Sequence, residues 1–435
     1  MRPRQPVTAN GYFDAFARVA QVLPGHQLGW LHQARESAIE RFACIGFPTS
    51  HDEDWKYTDV AAIENSRFNV LPGPCPDPLA ARVASHALPD AHLLVFVNGT
   101  LEPGLCRVGR LRTGVVLSGL AYMLEEYPGR LDTSLLLGNA TSAFADLNLA
   151  FMGDGAYIQL PRGCVLKAPI QLLYIATEAN LAIQPRNLVV AAADSSASIV
   201  EHHVAIHDDG YFTNAVTDIV LGPGATLAHH KLQQENASAF HIATVDIAQG
   251  EGSHFTSTSL AFGARLARVG IGVKLQGDGA SCSLDGLYLA NGRQHVDHHT
   301  RIDHLKPGCT SREYYKGVLG DAARGVFNGR LVVQPDARGS DAVQANHNLL
   351  LSDDAEIDTK PQLEIWTDDI RCRQDATVGP LDEDQLFYLR SRGIGDISAR
   401  ALLTRAFAME IIDRIGLISL QERVDDLLQG KLPRH

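Results

Sequence analysis

The residues of this chain best suited to chemistry crowd into RQHVDHHTRIDH, where His295, His298, His299 and His304 stand with Asp297 and Asp303. Imidazole and carboxylate are ligands for zinc or iron, and on an extended strand Asp297 and His299 project from one face. Their spacing matches no standard metal site, and alternating polar residues are also what a solvated strand face carries. The pairs His202-His203 and His229-His230 are poorer chelators, because strand neighbours point to opposite faces. Seven cysteines (Cys44, Cys75, Cys106, Cys164, Cys282, Cys309 and Cys372) lie far apart, odd in number and with no CxxC pair. That pattern argues against a disulfide framework and against a zinc ribbon. No GxxxxGK[ST] segment occurs, so no phosphate loop for a nucleotide is visible.

The elements that must position these groups fall into three regions: helical over residues 1–90, β over 91–379 and helical again over 380–435. Near the N-terminus, Leu31, Ala34, Ala38 and Phe42 recur at helical intervals, and Gly46-Phe47-Pro48 stops the pattern. From Ala91 to Gly379 the helical period gives way to short strands such as His92 to Val97 and Val269 to Leu275. In the latter, Val269, Ile271, Val273 and Leu275 share one face, which predicts a sheet buried on one side. A turn recurs between the strands. Its second glycine falls at Gly224, Gly252, Gly279 and Gly308, at intervals of 28, 27 and 29 residues, with degenerate copies at Gly339 and Ser196. A period of this size with two strands per unit is what a wound solenoid requires, since each coil must return to stack on the last. A β-propeller needs longer, four-stranded blades with a repeated motif that is missing here. The expected fold is therefore a mainly β, right-handed parallel β-helix (solenoid) flanked by helical regions at both ends.

After Pro380, three helices are predicted: Asp382 to Arg392, Asp396 to Ile415, and Ser419 to Leu428 opening on the capping box Ser419-Leu420-Gln421-Glu422. Before them, Leu363, Ile365 and Thr367 alternate with Glu364, Trp366 and Asp368 as in a half-buried strand, and Cys372 is placed in the polar turn that follows.

The chain has 435 residues, 45% of them hydrophobic, and a net charge of −12. It can bury a large core, and its charge makes nucleic acid and anionic membrane poor partners. The N-terminus MRPRQPVTAN leads into polar sequence, and no run of about 18 apolar residues occurs, so a cytoplasmic protein is expected.

Several segments resemble the SufB/SufD family of iron–sulfur cluster assembly scaffolds, the SufD type above all. They are PTSHDEDWKYTDV (Pro48 to Val60), NATSAFADLNLAFMGDGAYIQLPRGCVLKAPIQLLYIAT (Asn139 to Thr177), RNLVVAAADSSASIVEHH (Arg186 to His203), SREYYKGVLGDAARGVFNGRLVVQPDA (Ser311 to Ala337), QANHNLLLSDDAEIDTKPQLEI (Gln344 to Ile365) and the run KPQLEIWTDDIRCRQDATVGPLDEDQLFYLRSRGI from Lys360. The resemblance implies a non-catalytic subunit that pairs with a SufB-like scaffold through its β-helix and docks a SufC-type ABC ATPase through its C-terminal region. A homodimer is the alternative assembly of the isolated chain. Cys372 matches the family's cysteine, and a thiolate is a natural iron ligand. The family's usual histidine two residues later is replaced by Gln374. His347, one coil earlier, is the expected substitute, and the metal-site candidates are therefore Cys372 and His347. No cofactor is expected to bind firmly, only transient iron or an iron–sulfur cluster at a partner interface. The competing function is a β-helix carbohydrate-active enzyme, a polysaccharide lyase or hydrolase drawing carboxylates from turns such as Ser352-Asp353-Asp354. The scarcity of aromatic residues for sugar stacking weighs against it.

Overall fold

A computed structural model describes residues 9–137 and 142–432, so Asn139 to Thr141 of the quoted segment lie outside the described residues. Two ten-stranded sheets face each other, and from Arg186–Ala191 onward successive strands alternate between them. The first sheet runs from His92–Val97 through Ile170–Ala176, Ser196–Ala205, Thr226–Gln234, His254–Ala261, Ser281–Ala290, Thr310–Leu319 and Ser340–Leu350 to Ile370–Gly379. The second ends in His295–His304, Arg324–Val333 and Glu356–Ile365. Neighbouring strands along the solenoid are parallel and in register, Leu227 beside Phe255, Cys282, Ser311, Ala342 and Cys372 in turn. The expected parallel β-solenoid with helices at both ends is what the chain forms.

The core lies between the sheets. Val269, Ile271, Val273 and Leu275 all point into it, as their alternation predicts. The recurrent turn is a stacked corner, in which the N–H of Gly224 donates to Glu251 O, Gly252 to Asp278 O, Gly279 to Pro307 O, Gly308 to Arg338 O and Gly339 to Asp369 O. Each of these glycines has a positive φ, between 58° and 69°. The copy expected at Ser196 sits two residues earlier, because Asp194, with φ of 59°, occupies the corner and donates to Pro223 O. Asp tolerates this conformation, which a search for glycine overlooks. At Gly252 and Gly279 an added Cβ meets nothing within 4 Å, so only the backbone resists a side chain there. Gly252→Val and Gly279→Val should each cost roughly 1–3 kcal/mol, read as a lowered denaturation midpoint. Unchanged midpoints for both would refute the account of the corners.

The helices pack on the outer faces of the sheets. Gly29–Ile45 buries Leu31, Ala38 and Phe42, while Arg35 takes the position expected of Ala34 and donates to Met152 O at 2.8 Å. Within the range read as purely β, three α-helices occur among the described residues: Leu120–Glu126, Thr133–Leu137 and Ala143–Phe151. The last is buried along its whole length and is capped by Ser142. A helix with no polar face leaves no amphipathic period, so its pattern is silent in the sequence.

At the C-terminus, Asp382 caps Glu383–Ser391 by accepting from the N–H groups of Asp384 and Gln385 at 2.9 and 3.0 Å. The next helices are Asp396–Ile412 and Ile418–Lys431. The capping box at Ser419 does not form: the cap residue is Leu417, and the helix runs through Gly430. Burial of Leu420, Val424 and Leu428 fixes this helix from one side, a tertiary constraint that outweighs the local capping signal.

Candidate functional site

Cys372 is not in a turn. The turn is the stretch 366–369, and Cys372 lies on the strand Ile370–Gly379, opposite Ala342 and half-buried against the end of the core. The alternating pattern was broken by two aspartates, and the strand resumes directly after them. Ile370–Gly379 and Glu356–Ile365 are the last strands of their sheets, and among the described residues nothing pairs with their outer edges. Leu363, Ile365 and Val378 are each at least 39% exposed, although their counterparts one coil earlier are buried. The opposite end is finished by short antiparallel strands, Thr100–Leu101 against His92–Val97 and Val116–Gly119 against Ala156–Leu160. One end of the solenoid is thus closed and the other open.

At the open end, side chains alternate between the interior and the outer face. Cys372, Gln374, Ala376 and Val378 continue interior columns, whereas His347 belongs to the outward set. The structure therefore does not bring the two candidate ligands together: His347 aligns with Thr377, five residues beyond Cys372 and on the other face. Burial pushes the Cys372 thiol up, with Asp341 adding to it, so the thiolate is disfavoured in the chain alone. Among the described residues no group of three or more His, Cys, Asp or Glu is arranged to hold a metal ion.

His347 instead ties the open edge to the C-terminal helices. Its Nε2 lies 3.0 Å from Asp375 Oδ2 and its Nδ1 3.3 Å from the Tyr314 hydroxyl. That hydroxyl donates to Glu410 Oε2 at 2.8 Å, and the buried Lys316 ammonium holds the same carboxylate at 2.6 Å and Phe407 O at 3.1 Å. Arg414 pairs with Asp285 at 3.0 Å. The helix Asp396–Ile412 is thereby anchored to the sheet, while Phe387, Tyr388, Ile397, Leu402 and Ile418 remain exposed. Charged anchors beneath and apolar residues above leave a surface suited to another protein.

Gln374 aligns with Gln344, and Gln344 with Glu313. The Gln374 amide donates to Gln344 Oε1 at 2.7 Å, and the Gln344 amide donates to Glu313 Oε2 at 2.6 Å. Glu313 Oε1 and Thr300 Oγ1 are buried near one another, outside normal hydrogen-bond geometry with any partner among the described residues. Burial pushes the Glu313 carboxyl up to about 7 against the pull of Thr300 and Gln344, with Asp285 adding to the rise.

The histidine cluster divides between the two faces. His295, Asp297 and His299 face outward, where they receive the N-terminal loop. Thr58 Oγ1 lies 3.0 Å from His295 Nε2 and donates to Asp297 at 2.5 Å. His299 Nε2 approaches Asp297 at 3.1 Å, and Arg268 pairs with Asp297 while stacking under the Trp55 ring at 3.8 Å. The Trp-Lys-Tyr-Thr string is thus a clamp on the solenoid. His298 and His304 face inward. His298 bonds Ser259 at 3.0 Å and lies against Tyr288, and His304 bonds Ser311 at 2.9 Å.

Sequence reasoning missed an ionic cluster inside the solenoid. Glu201 accepts from Lys231 at 3.2 Å and Thr217 at 2.7 Å, and contacts His229 at 3.1 Å. Lys231 also reaches His203 at 3.0 Å. Burial would raise the Glu201 carboxyl, but Lys231, His203 and His229 hold it well below its ordinary range. Glu201 and Lys231 share strand parity with the apolar Ile199 and Leu227, and that parity was the available signal that they face inward.

An open-ended parallel solenoid, with helices packed on its outer faces and two terminal strand edges unpaired among the described residues, defines the class of protein. Residues 174–407 match the family described as SUF system FeS cluster assembly, SufBD core domain, and residues 7–172 match the SufBD protein N-terminal region. The chain is 34% identical over 405 residues to an iron–sulfur cluster assembly SufBD family protein of Synechocystis, covering 90% of this chain and 88% of that one. It is 31% identical over 400 residues to the iron–sulfur cluster assembly protein SufD of Escherichia coli, covering 91% and 92%. The protein ABCI7, chloroplastic, of Arabidopsis thaliana is 28% identical over 421 residues, covering 92% and 86%. The chain belongs to the SufBD family of the Suf iron–sulfur cluster assembly system and is SufD-like.

Proposed function

We propose that this chain is a non-catalytic scaffold subunit of the Suf complex, acting in the cytoplasm. It pairs with a SufB-like subunit through the open end of the solenoid and docks a SufC-type ATPase through its C-terminal helices. The observation that carries the reading is the asymmetry of the solenoid, closed at one end and left at the other with two unpaired strand edges and exposed apolar residues. Such an edge aggregates unless another chain covers it. Iron or a nascent cluster is cargo in this reading. Cys372 supplies one thiol at the open end, and the partner completes the donor set. Membership of an iron–sulfur assembly family weighs against the polysaccharide-enzyme alternative, and Asp353 and Asp354 are exposed turn residues. None of the described helices is long and apolar enough to cross a membrane.

Capture of the native complex from cell extract tests the reading. Recovery of an ABC-type ATPase together with a SufB-like chain supports it, whereas a lone chain with lyase activity overturns it. Phe387 and Tyr388, 71% and 57% exposed, can be altered without disturbing the core. The double variant Phe387→Ser, Tyr388→Ser should weaken ATPase capture about tenfold or more, as loss of exposed aromatic anchors does at interfaces, and should keep the SufB-like partner. Full ATPase capture would move the docking surface elsewhere.

A further inference from the structure

The column Glu313, Gln344, Gln374 runs from the interior to the open end and has a direction. An ionised carboxylate only accepts hydrogen bonds, so it draws the NH₂ group of Gln344 toward itself. The Gln344 oxygen must then face the next coil, where the Gln374 NH₂ group meets it. The Gln374 oxygen is left over. It has no partner among the described residues, and it stands where the next coil of the sheet would add a strand. Stacked amides of this kind propagate one orientation from strand to strand.

We propose that Gln374 is the recognition residue of the open end, presenting a hydrogen-bond acceptor, oriented by the Glu313–Gln344 column behind it, to a donor-bearing side chain on the partner's edge strand. The inference rests on the pairing described above and names the chemistry of that contact: the partner carries an amide, imidazole, hydroxyl or ammonium donor in this register. It also assigns Gln374 a role without metal, at the position where the resemblance leads one to expect a histidine.

The orientation depends on the charge state of Glu313. A protonated Glu313 can either accept from the Gln344 amide through its carbonyl or donate its O–H to the Gln344 oxygen, so the column loses its fixed direction and Gln374 no longer presents only an acceptor outward. The titratable groups around Glu313 are Cys282 and Asp285 on Ser281–Ala290 and Tyr315 on its own strand, and Thr300 faces it from the second sheet. Asp285 is held by Arg414 on the outer face, and the ordinary ranges of cysteine and tyrosine lie above neutrality. Pairing with a donor-bearing edge therefore strengthens as the pH rises through neutrality.

The test is the equilibrium affinity of the full-length chain for the SufB-like subunit of the same genome, at about pH 6 and pH 8. For the unaltered chain the affinity should be higher at the upper pH. Gln374→Met, which keeps the length and removes the hydrogen bonds, should weaken pairing about tenfold at the upper pH and abolish the pH step. Glu313→Gln, whose neutral amide can meet Gln344 with either its carbonyl or its NH₂ group and so fixes no direction, should show the weaker low-pH affinity at both values. Unchanged affinity of Gln374→Met, or a pH step of full size in either variant, overturns the proposal. Absence of pairing by the unaltered chain would instead remove the reading beneath it.

Discussion

Arg268→Ala should destabilise the protein by about 3–5 kcal/mol, the cost of leaving a buried charge without its partner. Asp297 is fully buried and is held by Arg268, Thr58 and His299. Burial alone would raise its carboxyl. Arg268 first, then His299, reverse that effect and hold it below the ordinary aspartate range. A depressed carboxyl contributes stability that is present above the unfolded value of about 3.9 and is lost as the pH falls through the lower folded value. Removing Arg268 takes away the main cation, so burial dominates and the Asp297 carboxyl rises. The loss should accordingly be largest near pH 8 and shrink toward pH 5, where the carboxyl can take up a proton. Trp55 loses its stacking partner in the same variant, so its fluorescence should report loosening of the N-terminal clamp before the solenoid unfolds. Arg268→Lys, which keeps the charge but not the planar stack, should fall between the two. A loss below about 1 kcal/mol at pH 8 would show that water already reaches Asp297.

This clamp also marks the limit of what the sequence made legible. Trp55 to Thr58 and the histidine cluster were both visible as unusual strings, separated by more than two hundred residues. Nothing local says that they meet, because the contact is set by a helical layer folding over the second sheet. The solenoid was readable for the opposite reason. Its period arises from corners that repeat a backbone requirement, and Gly224, Gly252, Gly279 and Gly308 state that requirement in residue type. Asp194 meets the same requirement in another residue type, so that corner was misplaced by two residues. Cys372 and His347 were expected to converge because they lie about one coil apart. Coil spacing fixes which strand a residue joins, but strand parity fixes its face, and 372 aligns with 342 rather than with 347. The interior charges were hardest to see, since Glu201, Lys231 and Glu313 resemble solvated residues until both flanking sheets are in place.

Glu313 allows the sharpest test of that interior. Its carboxyl is pushed up to about 7 by burial, whereas an unfolded glutamate titrates near 4.3. Between these values the folded chain keeps a proton that the unfolded chain has released, so stability falls as the pH rises across that window and levels off above it. Glu313→Gln removes the titration. Its carbonyl can occupy the Oε2 position and accept from Gln344, and its NH₂ group falls where Oε1 now stands near Thr300, whose hydroxyl can accept. The variant should therefore match the parent near pH 4 and exceed it by about 4 kcal/mol near pH 8, from roughly 1.4 kcal/mol per unit of displacement. The comparison is read from denaturant midpoints of the two proteins across the range. Parallel stability curves would show that Glu313 is solvated and ionised at neutrality. The column would then keep one orientation at both ends of the range, and the pH step predicted for pairing would vanish with it.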